Sequence, residues 1–106
     1  MFVKIGVKAK KGKASESALK EYIDMFREGL EKSSVEQGVN PDAVEVSLVE
    51  TDFGYAIQME VKTLPNIPVK LFMKTVPSFK SAIEEGIRGL KEFMKECGID
   101  CEVMLL

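Results

Sequence analysis

The chain has 106 residues and a formal net charge of −2, with 45% hydrophobic and 30% charged residues. This length suits one domain, and the composition is typical of a globular chain rather than a disordered one. The sequence contains no histidine, the commonest general base and metal ligand. We therefore expect no Ser–His or Cys–His catalysis, no metal site and no cofactor. An enzyme that uses only carboxylates, lysine or cysteine is left open, but no motif points to one.

The sequence predicts a cytoplasmic protein that has no membrane partner. No apolar run approaches the roughly 18 residues of a membrane span, and the first residues alternate between charged and apolar side chains, unlike a signal peptide. Only four residues are Asn or Gln, whereas Lys and Glu are abundant. Such a composition favours a thermophilic source.

Two cysteines, Cys97 and Cys101, lie four positions apart. Without histidine they cannot complete a four-ligand zinc site, and they are too few for a disulfide scaffold. We expect both side chains to be buried and to act as small apolar groups. A disulfide between them stays open as the alternative for a hyperthermophilic source.

The first half of the chain predicts two strands that flank a helix. Residues 2–8 alternate between apolar and polar side chains, which indicates a strand covered on one face. Ser15 is placed to cap a helix, which ends at Gly38. A second strand follows at 44–50, and residues 51–54 form a turn.

The second half predicts three more strands and a second helix. Alternation over 54–63 indicates a third strand, and the two prolines within 65–68 interrupt it. We expect a fourth strand at 69–74, a helix capped by Ser78, and a closing strand at 101–106.

The order of these elements indicates an internal repeat within a single domain, 1–106. Residues 3–8 match residues 69–74, and a glycine followed by an apolar residue leads from each helix into a strand. The predicted repeat units cover 2–50 and 68–106, and the strand at 54–63 joins them.

The predicted fold is α+β, a two-layer sandwich of two β-α-β units joined by an extra strand. Each unit makes a right-handed crossover, and both helices lie on one face of the sheet because every strand has one apolar side. This plan is ferredoxin-like with an added strand. Whether Pro65–Pro68 forms a hairpin or a bulge stays open, and with it the direction of the fourth strand.

The doubled strand–helix–strand plan also resembles the tautomerase architecture, which is usually trimeric. The resemblance implies the plan of the fold only. The catalytic amino-terminal proline of that family would fall at position 2, which is Phe2 in this chain.

Lysine is concentrated in two segments of the chain. Residues 1–13 contain five lysines and residues 65–80 contain three, and neither segment contains an acidic residue. The two segments together carry a charge of +8, and because the net charge of the chain is −2, the other residues carry −10. Alternation places the lysines of both predicted strands on the open face of the sheet, around one aromatic ring. Lysine side chains can bind phosphate groups, and an aromatic ring can stack on a base. This combination predicts binding of RNA, other single-stranded nucleic acid or a phosphorylated ligand. The candidate residues are Lys4, Lys8, Lys10, Lys11, Lys13, Lys70, Phe72 and Lys74.

The same open face carries apolar side chains, namely Val49, Phe72, Met104 and Leu106. A small domain that exposes them gains stability by pairing with another copy. We therefore predict a homo-oligomer, with a non-catalytic binding or assembly module as the function. The alternative function is the nucleic-acid or phosphorylated-ligand binding described above. The lysines are also consistent with a merely solvated face that resists aggregation.

Overall fold

The structure, a computed structural model, describes residues 1–37 and 41–106. Over these residues the chain is a small α+β protein with a four-stranded antiparallel open sheet and three α-helices. The elements are β1 (Phe2–Lys8), α1 (Lys13–Gln37), a 3-10 helix (Pro41–Ala43), β2 (Val44–Thr51), β3 (Gly54–Val61), α2 (Val69–Thr75), α3 (Pro77–Glu96) and β4 (Glu102–Leu105). The predicted helix end at Gly38 lies outside the described residues.

The strand order in the sheet is β2-β3-β1-β4. β3 is antiparallel to both β1 and β2, and β1 is also antiparallel to β4. Consequently β1 and β2 run parallel to each other with β3 between them, and β3 and β4 run parallel with β1 between them. The strand–helix–strand crossover of the second half therefore begins at β3, which the sequence had assigned as a joining strand.

The prediction of a strand at residues 69–74 is wrong, because these residues form α2. From Val69 to Val76, the C-cap of α2, the partly buried residues are Val69, Phe72, Met73 and Val76, which is helical spacing. A short apolar run of this kind also fits alternation, so the pattern alone did not decide between helix and strand. Pro65–Pro68 therefore forms neither a hairpin nor a bulge between strands, and the Pro68 carbonyl accepts the first hydrogen bonds of α2.

The helix caps also differ from the prediction. Ser15 lies inside α1, and its hydroxyl donates to the Lys10 carbonyl at 2.8 Å. Ser78 lies inside α3, which has Val76 as N-cap and Pro77 in its first turn. The predicted stop at Gly98 is confirmed: its φ of 79° suits glycine, and the next N–H, of Ile99, donates to the Met94 carbonyl at 2.9 Å.

The core is one cluster to which strands and helices both contribute. Its buried members include Val3, Ile5 and Val7 from β1, Leu19 and Ile23 from α1, Tyr55 and Ile57 from β3, and Leu90 and Met94 from α3. The rings of Tyr22 in α1 and Phe93 in α3 lie 5.4 Å apart, so the two long helices also contact each other. Burial of Tyr22 raises the pKa of its hydroxyl.

The two cysteines have different environments, and both thiols are free. Cys101 is buried in the core cluster as predicted, and burial raises the pKa of its thiol. Cys97 is exposed, which contradicts the prediction that both are buried. Cys97 is the C-cap residue of α3, one position after the last residue of the helix.

Candidate functional site

The strands place one set of side chains on the face of the sheet opposite the core cluster. Successive strand residues point to opposite faces, and directly paired residues share a face, so the register assigns each side chain. We call this surface the open face. Its residues are Phe2, Lys4, Gly6 and Lys8 of β1; Glu45, Ser47, Val49 and Thr51 of β2; Gly54, Ala56, Gln58 and Glu60 of β3; Glu102 and Met104 of β4; and Leu106.

An apolar row crosses all four strands in the middle of the open face. Val49 pairs with Ala56, Ala56 with Gly6, and Gly6 with Met104. The side chain of Leu106 lies over Gly6, where a β-carbon would meet its Cδ2 atom at 3.0 Å. Met104 is 37% exposed and Leu106 40% exposed, so the row ends in two large apolar side chains that face solvent.

Phe2 is the most exposed large apolar side chain of the open face, at 56%. It pairs across the ladder with Glu60. The sequence placed Phe2 on the outward side of β1 but did not select it as a binding residue. The signal that could have done so was the alternation itself, which puts this phenylalanine on the outward side of a strand covered on one face.

The charges of the open face balance. Lys62 continues the β2–β3 ladder and forms an ion pair of 2.8 Å with Glu45; this hydrogen bond raises the pKa of Lys62. Lys8 pairs in register with Glu102. With Lys4 and Glu60, the face and its margin carry three lysines and three glutamates, so the face as a whole has no net charge.

The structure does not bring the predicted lysine set together on the sheet. Lys4 and Lys8 lie on the open face as expected, but Lys70, Phe72 and Lys74 belong to α2. Phe72 packs edge-on against Phe79, with ring centroids 4.9 Å apart, and it contacts the core cluster. The prediction of Phe72 as an exposed stacking ring beside lysines on the sheet is therefore wrong.

The remaining predicted lysines, Lys10, Lys11 and Lys13, lie where β1 leads into α1. The Tyr55 hydroxyl accepts a hydrogen bond from the Gly12 N–H at 3.1 Å and lies 3.3 Å from the Gly12 carbonyl. Lys11 forms an ion pair of 3.6 Å with Glu50. These contacts give the loop between β1 and α1 a defined conformation.

A groove runs between α1 and the outer edge of β2. Two cavities of about 660 and 420 Å³ form it, and Arg27 and Ser47 line both. The Arg27 guanidinium donates a hydrogen bond to the Val46 carbonyl at 2.6 Å and lies 3.9 Å from the Asp24 carboxylate. No sequence signal pointed to Arg27, because this contact joins elements that only the fold brings together.

No protein-family model, curated protein or solved structure gives a significant match to the chain. Within residues 1–37 and 41–106, no group of three or more Cys, Asp or Glu side chains is placed to hold a metal ion. Nor does any helix in those ranges combine the length and apolar content that a membrane crossing requires.

Proposed function

We propose that the chain is a non-catalytic assembly module whose open face binds the open face of a second copy. The observation that carries the proposal is the apolar row Val49–Ala56–Gly6–Met104, extended by Leu106 and Phe2. Two sheets that stack face to face interdigitate such side chains and exclude water between them. Burial of apolar area is the main driving force of such association.

The charges favour a second copy over a polyanion as the occupant. A surface that binds nucleic acid gains affinity by neutralising phosphates with a local excess of cations. The open face and its margin instead carry three lysines and three glutamates, and two of the lysines are opposite or bonded to a glutamate. A face of balanced charge does not repel itself, so it suits an isologous contact.

For the fold, the same proposal includes the ferredoxin-like plan without the added strand. In this plan α1 and α3 cover the face of the sheet opposite the open face. The strand order and the two crossovers support it, as does the contact between α1 and α3 within the core. The tautomerase-like alternative has less support, since the doubled unit on which it was based needs a strand at residues 69–74.

The test is the mass in solution by sedimentation equilibrium. We expect the natural chain to have at least twice the mass of one chain, and Met104→Glu to halve that mass because it buries a charge in the apolar row. Met25→Glu is the matched control: Met25 is 52% exposed on α1, away from the open face, and the change should leave the mass unaltered. A monomeric natural chain, or a mass that Met104→Glu leaves unchanged, would contradict the proposal.

A further inference from the structure

β2 has a row of backbone groups that pairs with no other strand among the described residues. The Ala43 carbonyl accepts a hydrogen bond from the Lys62 N–H at 2.8 Å, in register with the β2–β3 ladder. Hydrogen-bonded and non-bonded positions alternate in an antiparallel pair, so the odd-numbered residues point their N–H and C=O groups toward β3. The groups that point to the outer edge belong to Val44, Val46, Leu48 and Glu50.

Four charged side chains of α1 follow the groove beside this edge. We call them the α1 charge stripe: Lys20, Asp24, Arg27 and Glu31. All four line the two cavities, and their spacing places them on one side of the helix. Their charges alternate along the helix: positive, negative, positive, negative. When a second stripe runs in the opposite direction, each position of the first stripe therefore faces a charge of the opposite sign. Two antiparallel copies of the stripe therefore place each cation opposite an anion.

We propose that the outer edge of β2 pairs with the same edge of a second copy, which extends the sheet from four strands to eight. The two strands run antiparallel about a two-fold axis at Ser47, so that Val46 pairs with Leu48, and Val44 with Glu50, of the opposite copy. In this register, the residues whose backbone N–H and C=O groups point to the outer edge of β2 are directly opposite the same kind of residue in the second copy. All the outer N–H and C=O groups of these four residues then have partners.

The same axis also aligns the two α1 charge stripes. The cavity beside Val44 includes Glu31, and the cavity beside Leu48 includes Lys20, so the middle of the stripe lies beside Ser47. An axis at Ser47 therefore pairs opposite charges of the two copies, Lys20 with Glu31 and Asp24 with Arg27. Strand register and helix charge are independent features of the sequence, and one axis satisfies both.

Arg27 has a different partner in the single chain and in the dimer. In the single chain its guanidinium donates a hydrogen bond to the Val46 carbonyl. This bond protects an edge that could otherwise pair with any strand. In the dimer this carbonyl accepts the Leu48 N–H of the second copy, and Arg27 turns to the Asp24 carboxylate across the axis. A foreign strand that displaces Arg27 leaves it only the Asp24 carboxylate of its own chain, whereas a second copy also offers its Asp24 across the axis, so the exchange favours a second copy.

The test uses the Met104→Glu chain, in which the open-face contact is absent, so that the two contacts are measured separately. We expect this chain to dimerise in sedimentation experiments. Lys20→Glu and Glu31→Lys should each raise the dimer Kd about tenfold, since each places like charges across the axis twice. The double variant should restore the Kd to within about twofold. Within one chain these residues are about 16 Å apart along α1, so the rescue requires a second copy.

Lys80→Glu in the same background is the control. It removes the cation of a Lys80–Glu84 pair on α3 that has the same spacing as the Lys20–Glu16 pair on α1, and it should leave the Kd unchanged. Amide exchange at Val46 and Leu48 should slow on dimerisation. The inference is overturned by a Met104→Glu chain that stays monomeric at every concentration, by a Kd insensitive to the single charge reversals, or by a double variant that fails to restore it.

Discussion

The two faces of the sheet are formed by the same strands but differ in what their side chains do. On the covered face, Val3, Ile5 and Val7 of β1 are buried against residues of α1 and α3. On the open face, Phe2, Met104 and Leu106 are each more than a third exposed, and small residues lie between them. Both faces are apolar near the middle, yet among the described residues the core cluster, to which α1 and α3 contribute, lies on the covered face.

Because the two faces differ in this way, we expect substitutions on one face to change the stability of the single chain and substitutions on the other to change its association. Substitutions on the covered face remove contacts that fold the single chain, so they lower its free energy of unfolding. Substitutions of exposed side chains on the open face leave those contacts intact, and we expect them to act on the proposed contact between copies. Matched changes on the two faces can therefore distinguish the two effects.

Gly54 lies on the open face, yet a substitution there should destabilise the single chain. Its φ is 144°, and a β-carbon would lie 2.6 Å from the Val7 carbonyl oxygen and 2.8 Å from that of Ala9. Both atoms are backbone and cannot move aside. We expect Gly54→Ala to lower the free energy of unfolding by about 3 kcal/mol or more in urea denaturation. A loss below about 1 kcal/mol would show that the turn adapts.

Val7 and Val49 are a matched pair on opposite faces. Val7 is fully buried in the core cluster, and Val49 is partly buried in the apolar row. Val7→Ala should cost about 2 kcal/mol of unfolding free energy at a concentration where the chain is monomeric, and Val49→Ala less than about 1 kcal/mol. Association should respond in the opposite order, with Val49→Ala weakening it more. Equal losses of stability would contradict the separation of the two faces.

Tyr55→Phe tests a polar contact of the covered face. Its hydroxyl accepts from the Gly12 N–H at 3.1 Å, so its loss should cost about 1 kcal/mol. Gly12 lies in a surface loop, and water replaces the lost acceptor there, which keeps the cost small. Thermal unfolding measures this loss, and sedimentation should show no change in association. A change in association would instead connect the loop at Gly12 to the contact between copies.

The regular strands could be predicted from the sequence, because their physical cause is local. Alternation over residues 2–8, 44–50 and 54–63 required only that one side of each strand be buried, and all three strands are confirmed. The run at 69–74 is too short to separate a period of 2 from a period of 3.6. Its partial burial at Val69, Phe72 and Val76 depends on packing against elements far away in the sequence.

Only part of the candidate site could be predicted from the sequence, because some of its contacts join elements that are far apart along the chain. Met104 and Leu106 could be assigned to the open face from alternation. The position of Leu106 over Gly6 depends on the pairing of β1 with β4, which brings residues 100 positions apart together. The contact between Arg27 and the Val46 carbonyl likewise needs the crossover of α1 beside β2. Neither of these two contacts produces a pattern that can be recognised within one segment of the sequence.

Oxidation of the methionines by hydrogen peroxide tests within a single sample whether the open face binds a second copy. Met104 and Met25 are both exposed in the single chain, at 37% and 52%, and both form sulfoxides when solvent reaches the sulfur. At high protein concentration we expect Met104 to oxidise much more slowly than Met25, and dilution to bring the two rates together. A Met104 that oxidises at a rate comparable to Met25 at every concentration would contradict the account.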